Sequence, residues 1–198
     1  MKDELLEEVT GSRNLVYNPS FELIENGKPK GWGTPPTNWE LITGSAQAYQ
    51  GQRCLKTWSD NVTGKVVINQ FPISNLVYSS KNPRFRVSAR YKTEGQLIAA
   101  PVLALEFWQY KDGKYTFTGD TQAKSGSTNT NGLWETLEIE FDVYPNTNQV
   151  WLNLRNFDSK GIVYWDEIEI VWINSDQAFA LTTPERITLG EKIPFSIT

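Results

Sequence analysis

Histidine is absent from this 198-residue chain, and cysteine and methionine occur once each. Without histidine no His-based catalytic triad can form, and the usual general base and the commonest zinc ligand are missing too. Cys54, in "RCLKTW", has no partner for an internal disulfide and reads as a small buried strand residue. Basic clusters are also lacking. The 19 Lys and Arg against 23 Asp and Glu leave a net charge of −4, and phosphate binding needs the opposite balance, so nucleic acid is not an expected partner. No apolar run is long enough to cross a bilayer, so membrane insertion is not expected. The opening "MKDELLEEVTGSR" lacks the apolar stretch of a secretory leader. The expectation is a protein that stays in the cell that makes it, or leaves by lysis inside a virion or other assembly.

What the chain has in quantity is aromatic side chains, 13% of residues with eight Trp, a composition that favours sheets. From Asn14 onward, short apolar or alternating runs are separated by Gly, Asn, Pro and Ser. The candidate strands are "LVYN", "WELI", "QRCLKTW", "KVVINQF", "RFRVSARY", "VLALEFWQY", "WETLEIEFDV", "QVWLNLRNF" and "GIVYWDEIEIVWI". This spacing, with no helical periodicity between runs, predicts an all-β fold, a two-sheet antiparallel β-sandwich of the jelly-roll kind. The sandwich is expected over residues 14–173, with an N-terminal arm at 1–13 and a C-terminal extension at 174–198. Segment 118–133, with almost nothing apolar to bury, is expected to be a long mobile loop. In the extension, "RITLGEKIPFSIT" alternates enough to add a strand to a neighbour's sheet edge, which suggests protein partners or self-assembly through the arms.

The stretch "VYWDEIEI", residues 163–170, poses a chemical problem. Strict alternation puts Tyr164, Ile168 and Ile170 on one face with Asp166, and Trp165, Glu167 and Glu169 on the other. Asp166 would then point inward, where a lone carboxylate is costly unless paired, protonated or given to a metal. If the first and last strands lie side by side, Glu22 reaches the same rim. Two carboxylates there would repel unless a cation sat between them, and calcium takes such oxygen ligands. An ion pair of Asp166 with Arg13 or Lys56, or a hydrated place at the rim, is the plainer alternative.

Three predicted strands carry an unusual outer face. "RFRVSARY" turns Phe85, Val87, Ala89 and Tyr91 inward and leaves Arg84, Arg86, Ser88 and Arg90 outside. "VLALEFWQY" turns in Leu103, Leu105 and Phe107 and leaves Ala104, Glu106, Trp108 and Tyr110. "VWLNLRNF" turns in Val150, Leu152 and Leu154 and leaves Trp151, Asn153, Arg155 and Phe157. Flat rings interleaved with Arg, Glu and Asn suit a sugar, whose C–H face stacks on a ring while its hydroxyls take hydrogen bonds. Trp and Arg are also enriched at protein interfaces, so a covered protein contact is the competing reading. Trp32, Trp39 and Trp58 lie near loops, where they add a platform or plug the end of a core.

The motifs "NLVYNPSFE", "GWG", "GSAQAYQGQRCLK", "FRVSARYKTEG", "LWETLEIEFDV" and "VWLNLRNFDSKGIVYWDEIEI" resemble the jelly-roll carbohydrate-binding modules that accompany xylanases and other glycanases. The resemblance covers residues 14–173. It implies a β-sandwich that binds a polysaccharide or cell-surface glycan without cleaving it, through aromatic and polar residues on a concave sheet. On that face the candidates are Arg86, Arg90, Glu106, Trp108, Tyr110, Trp151, Asn153 and Arg155. The resemblance also implies a structural calcium held by the residues matching Glu22 and Asp166, with carbonyls from "AYQGQ". Catalysis is not expected. A glycosidase needs two facing carboxylates, Glu106 has no acidic partner on the strands sharing its face, and Glu138, Glu140, Glu167 and Glu169 read as solvated alternates. Two functions follow: a glycan-binding lectin or adhesin displayed on a larger assembly, or a structural or decoration component of a phage virion that uses the sandwich and its arms for protein contacts.

Overall fold

A computed structural model describes residues 14–59, 65–70, 84–95, 97–119, 121–144, 146–157 and 161–173. Both expected arms lie outside the described residues. The strands are β1 (Ile24–Glu25), β2 (Lys28–Pro29), β3 (Trp39–Thr43), β4 (Arg53–Trp58), β5 (Lys65–Gln70), β6 (Arg84–Glu94), β7 (Val102–Lys111), β8 (Lys114–Phe117), β9 (Gln122–Ser125), β10 (Glu135–Asp142), β11 (Gln149–Phe157) and β12 (Ile162–Trp172). No helix occurs among the described residues. Two antiparallel sheets form the sandwich. One runs β5-β11-β7-β8 with β9 also on β7, and the other runs β10-β6-β12-β4-β3. We call them the platform sheet and the clasp sheet. The core between them takes the inward alternates of both, including Phe85, Val87 and Tyr91 of β6, Leu103, Leu105 and Phe107 of β7, and Val150, Leu152 and Leu154 of β11. All nine residues are those the alternation assigns inward.

β12 departs from its expected phase. Trp165 and Val163 are fully buried in the core, while Tyr164 is half-buried and donates its hydroxyl to Glu94 at 2.8 Å. The pairing explains the reversal. Asp166 stands opposite Arg90 and Glu169 opposite Ser88, so three steps on β12 match two on β6. This is a β-bulge. Its extra residue, Glu167, has φ 45°, a left-handed conformation that non-glycine residues rarely adopt. Without it, the phase set by Trp165 would turn Ile168 and Ile170 to solvent. With it, they return to the core. Asp166 therefore does not share the isoleucines' face, and its burial has another cause.

Two further expectations change. "LVYN" forms no regular strand, yet it lies along β12: the Leu15 N–H donates to Ile170 O at 2.9 Å and the Ile168 N–H to Pro19 O at 3.0 Å. Asn14 completes the stitching, donating Nδ2 to Ile168 O and accepting the Ile170 N–H. Segment 118–133 is not one open loop. β9 pairs with the Val102–Leu105 half of β7, and Thr130 is buried, bonded to Thr93. A strand edge offers backbone hydrogen bonds, so a polar segment can dock there without apolar side chains.

Candidate functional site

The platform sheet's outer face gathers its rings by register. Trp108 of β7 and Trp151 of β11 stack, with ring centres 4.7 Å apart and planes 24° from parallel. β8 adds two rings that the sequence reading did not include. Tyr115 meets Trp151 edge-on at 5.8 Å, and Phe117 meets Trp108 edge-on at 5.4 Å. Tyr110 leans on Tyr115 at 4.7 Å. Its backbone N–H donates to Asn148 Oδ1 at 2.7 Å, and Asn148 Nδ2 donates back to Tyr110 O at 2.9 Å. Tyr110, Tyr115 and Phe117 are each between 44% and 46% exposed, so this mutually braced cluster still presents ring surface to solvent. Asp112 and Gly113 make the hairpin that creates β8, both at positive φ (52° and 77°), as a type I′ turn requires. The dipeptide "DG" flanked by "QYK" and "KYTF" is the signal by which β8 is legible.

Beside the rings, Arg155 Nη2 donates to Glu106 Oε1 at 2.7 Å. Arg155 stands opposite Val102 and Glu106 opposite Trp151, so the backbones of the pair are about 13 Å apart along the strands. Both side chains must reach across the intervening level, where Ala104 and Asn153 face each other. That crossing accounts for the burial of those two small outward residues, 0% and 3% exposed. Asn153 thus lies beneath an ion pair, with its Nδ2 turned to Trp151 O. Glu106 Oε2 also accepts the Trp108 ring N–H at 3.4 Å. Gln149, opposite Trp108, holds a buried Oε1 with no hydrogen-bond partner among the described residues.

Six of the eight expected sugar-facing residues meet on this sheet: Glu106, Trp108, Tyr110, Trp151, Asn153 and Arg155. Arg86 and Arg90 do not. They belong to β6 of the clasp sheet, whose outer side faces the opposite way. Alternation tells which residues of a strand point outward but not which sheet the strand joins. Trp32 and Trp39 act as plugs. Trp32 is buried against Phe21 at 5.0 Å with its ring N–H on Asn18 O, and Trp39 packs against the core with its ring N–H on Pro35 O. Trp58 is half-buried with Lys56 over its ring.

Glu22 and Asp166 converge on one loop, as the sequence reading anticipates, but each is held by backbone N–H groups. Asp166 Oδ2 accepts from Tyr49 at 2.8 Å and Gln50 at 3.0 Å, and Oδ1 accepts from Glu167 at 2.7 Å. Glu22 Oε1 accepts from Gln52 at 2.7 Å and Arg53 at 2.8 Å, while Oε2 meets the Arg53 guanidinium at 3.1 Å. The loop therefore clasps the chain's opening segment to its closing strand and roofs Asp166, which is wholly inaccessible. Burial raises the Asp166 carboxyl to about 6, against the opposing pull of the three N–H donors. Gly51 lets Glu22 approach: its φ is +73°, and a Cβ there would sit 2.4 Å from Glu22 Oε1. Two carboxylates are hard oxygen donors of the kind calcium takes, while the partners each meets here are N–H groups and the Arg53 guanidinium. The loop's N–H groups show how the fold also satisfies both carboxylates by itself. Cys54, buried next to this region, has its thiol pushed up to about 12 by burial.

No protein-family model and no curated protein matches the chain. Solved structures do match its fold. One is a family 16 carbohydrate-binding module, at TM-score 0.57 and 17% identity, covering 80% of this chain and 99% of that one. Another is the CBM22-1 xylan-binding domain of Xyn10C from Paenibacillus barcinonensis, at TM-score 0.54 and 20% identity, covering 82% and 96%. A third is the enzymatically active domain of tailspike protein 4 from bacteriophage CBA120, at TM-score 0.60 and 12% identity, covering 81% of this chain and 21% of that one. The chain thus shares its β-sandwich fold with these carbohydrate-binding modules and with part of the tailspike.

Proposed function

We propose that the platform face binds a neutral polysaccharide and does not cleave it. The observation that carries this reading is the braced ring cluster of Trp108, Trp151, Tyr110, Tyr115 and Phe117 beside the Glu106–Arg155 pair. Sugar rings stack their C–H faces on such rings, and the pair supplies an acceptor and donors to their hydroxyls. Glu106 engages an arginine rather than a second carboxylate, so hydrolysis by a carboxylate pair has no basis on this face. Affinity electrophoresis in gels containing xylan, mixed-linkage β-glucan or galactomannan tests the reading. Retardation by at least one polymer, lost on Trp151→Ala or Trp108→Ala without change in the circular dichroism spectrum, is expected. Both residues face away from the core, so loss of folding in these variants would show that the rings are packed as structure, and retained binding would move the site elsewhere.

The same reading gives the clasp a structural calcium at Glu22 and Asp166, with no part in chemistry; chelation should then lower the melting temperature. A second reading, component of a phage virion, is favoured by the tailspike likeness, in which the matched region is a fraction of a longer chain. It has the arms as protein contacts and the sandwich displayed outward. Deleting residues 1–12 and 175–198 tests it: unchanged oligomeric state and unchanged incorporation into particles would remove the arms as anchors.

A further inference from the structure

The clasp sheet's outer face holds a groove of about 400 Å³ that the platform reading leaves unused. Its centre is Ser88 of β6. Glu138 of β10 stands opposite Ser88 on one side and Glu169 of β12 on the other, each strand roughly 5 Å away. Arg86 and Arg90 lie two residues before and after on β6 itself, roughly 7 Å along the strand in each direction. A small residue is thus ringed by four long charged ones, and the space above it is the groove. Asn14, Pro19 and Ser20 of the opening segment form one wall, and Gln50 of the clasp loop another. The β12 bulge shapes the site. It turns Asp166 and Glu167 to the same side, the first into the clasp and the second into the groove. A left-handed φ at a non-glycine residue costs on the order of 1 kcal/mol or more, and here it places a carboxylate.

The charges define what this groove can accept. Arg86 Nε lies 3.8 Å from Glu138 Oε2, and Arg90 Nε lies 3.5 Å from Glu167 Oε2. Arg90 also donates to the Thr136 hydroxyl. Two guanidiniums therefore face three carboxylates, and both guanidiniums are already engaged. The lining carries one net negative charge, which disfavours an anion, and its paired guanidiniums and carboxylates set donors and acceptors side by side. Groups that donate and accept at once match the polar side chains of the lining, and half-exposed ion pairs are weak enough to open for them. At the groove's end, the Tyr49 ring is 43% exposed, with the Arg90 guanidinium 4.6 Å from its centre and Trp134 edge-on at 5.8 Å. Hydroxyl partners beside an exposed ring are the elements a sugar needs.

We propose that this groove is a second binding site for a neutral, hydroxyl-rich glycan, on the face opposite the platform, so that one sandwich holds two chains or two stretches of one chain. The proposal rests on residues separate from the platform, so either site can fail alone. The experiment uses the full chain in the same gels of xylan, mixed-linkage β-glucan or galactomannan, with Ser88→Trp to fill the groove and Trp151→Ala to break the platform. Glu169→Ala serves as a second groove variant should Ser88→Trp not fold. In the polymer that retards the wild type, each single variant should keep part of the retardation and the double variant should lose all of it. Wild type should also cross-link the soluble polymer, read as turbidity, because linking two sites raises avidity about 100-fold or more over one; Ser88→Trp should not. Groove variants behaving as wild type, with Trp151→Ala alone abolishing binding, overturns the second site and leaves the platform. Abolition by Ser88→Trp with Trp151→Ala unaffected supports the groove and removes the platform. Absence of retardation in all three polymers overturns both.

Discussion

Replacing Asp166 by asparagine tests the physics of the clasp most sharply, because the expected sign is opposite with and without calcium. In the ion-free protein, burial raises the carboxyl from 3.8 to about 6. At 1.36 kcal/mol per pKa unit, the ionised form is about 3 kcal/mol worse in the folded than in the unfolded chain. A carboxyl with a raised folded pKa contributes stability that is full below the unfolded pKa and lost as pH rises through the folded one. In excess chelator, the Asp166 contribution, read as wild type minus Asp166→Asn, should therefore fall by up to about 3 kcal/mol between pH 4 and pH 7, roughly 6–12 °C in melting temperature for a chain of this size. Asparagine carries no charge and can accept from Tyr49 and Gln50 through Oδ1, but its amide then opposes the Glu167 N–H, a loss of about 1–3 kcal/mol. Asp166→Asn should lack this group's pH slope and equal or exceed wild type in chelator at pH 7. With calcium the carboxylate must be ionised, so wild-type stability should rise with pH across the same window and gain about 2.7 kcal/mol at a hundredfold excess over Kd, while Asp166→Asn does not respond. Thermal melts between pH 4 and 8, with calcium or chelator, separate these cases. A loss of several kcal/mol in Asp166→Asn in chelator at pH 7 would refute the burial argument. Wild type that ignores calcium sinks the calcium proposal and leaves the clasp.

Two further outcomes follow from backbone geometry. Gly51→Ala should lower stability by about 1–3 kcal/mol in urea unfolding, since it combines a left-handed φ with a Cβ 2.4 Å from Glu22 Oε1; an unchanged midpoint means the loop relaxes freely. Glu167→Gly should leave stability unchanged or raise it by up to about 1 kcal/mol, because relief at φ 45° offsets the loss of a half-exposed ion pair with Arg90. A clear loss of stability there would show that the bulge depends on that side chain.

Alternation carried much of the fold. The inward sets of β6, β7 and β11 are legible because each strand has one uninterrupted apolar face. β12 is different: an inserted residue reverses the phase in mid-strand, and "VYWDEIEI" fits either phase until its partner β6 is known. The same limit divided the expected site. Arg86 and Arg90 alternate outward as clearly as Trp108 and Trp151 do, yet sheet membership is a non-local fact that depends on which strands pair. β9 escaped notice because its stabilisation comes from main-chain bonds to β7, which leave no apolar pattern. The convergence of Glu22 and Asp166 on one loop was legible, because the opening and closing motifs placed both at one rim. What holds them was not, since backbone N–H donors look the same in every sequence.

The Glu106–Arg155 pair raises a last question, because stability does not explain it. Its side chains are 17% and 24% exposed, which by the exposures of the pair places it between the surface regime, worth about 0–1 kcal/mol, and the buried one, where desolvation offsets the attraction. Apolar residues of similar volume would cover Ala104 and Asn153 as well. What the pair adds is direction: Arg155 brings a guanidinium to the ring face through Glu106, and Glu106 Oε2 stays oriented by the Trp108 ring N–H. If that is its role, Glu106→Leu with Arg155→Met should melt within about 1–2 kcal/mol of wild type, yet weaken polysaccharide binding at the platform about tenfold or more, the equivalent of one charged hydrogen bond. The measurement is paired, a melt and a gel-retardation series on the same preparation, made in the Ser88→Trp background so that only the platform is read. Large destabilisation with binding retained reverses the assignment and makes the pair a structural cover. The single change Arg155→Met should be worse for stability than the double, since it strands Glu106 half-buried without its cation.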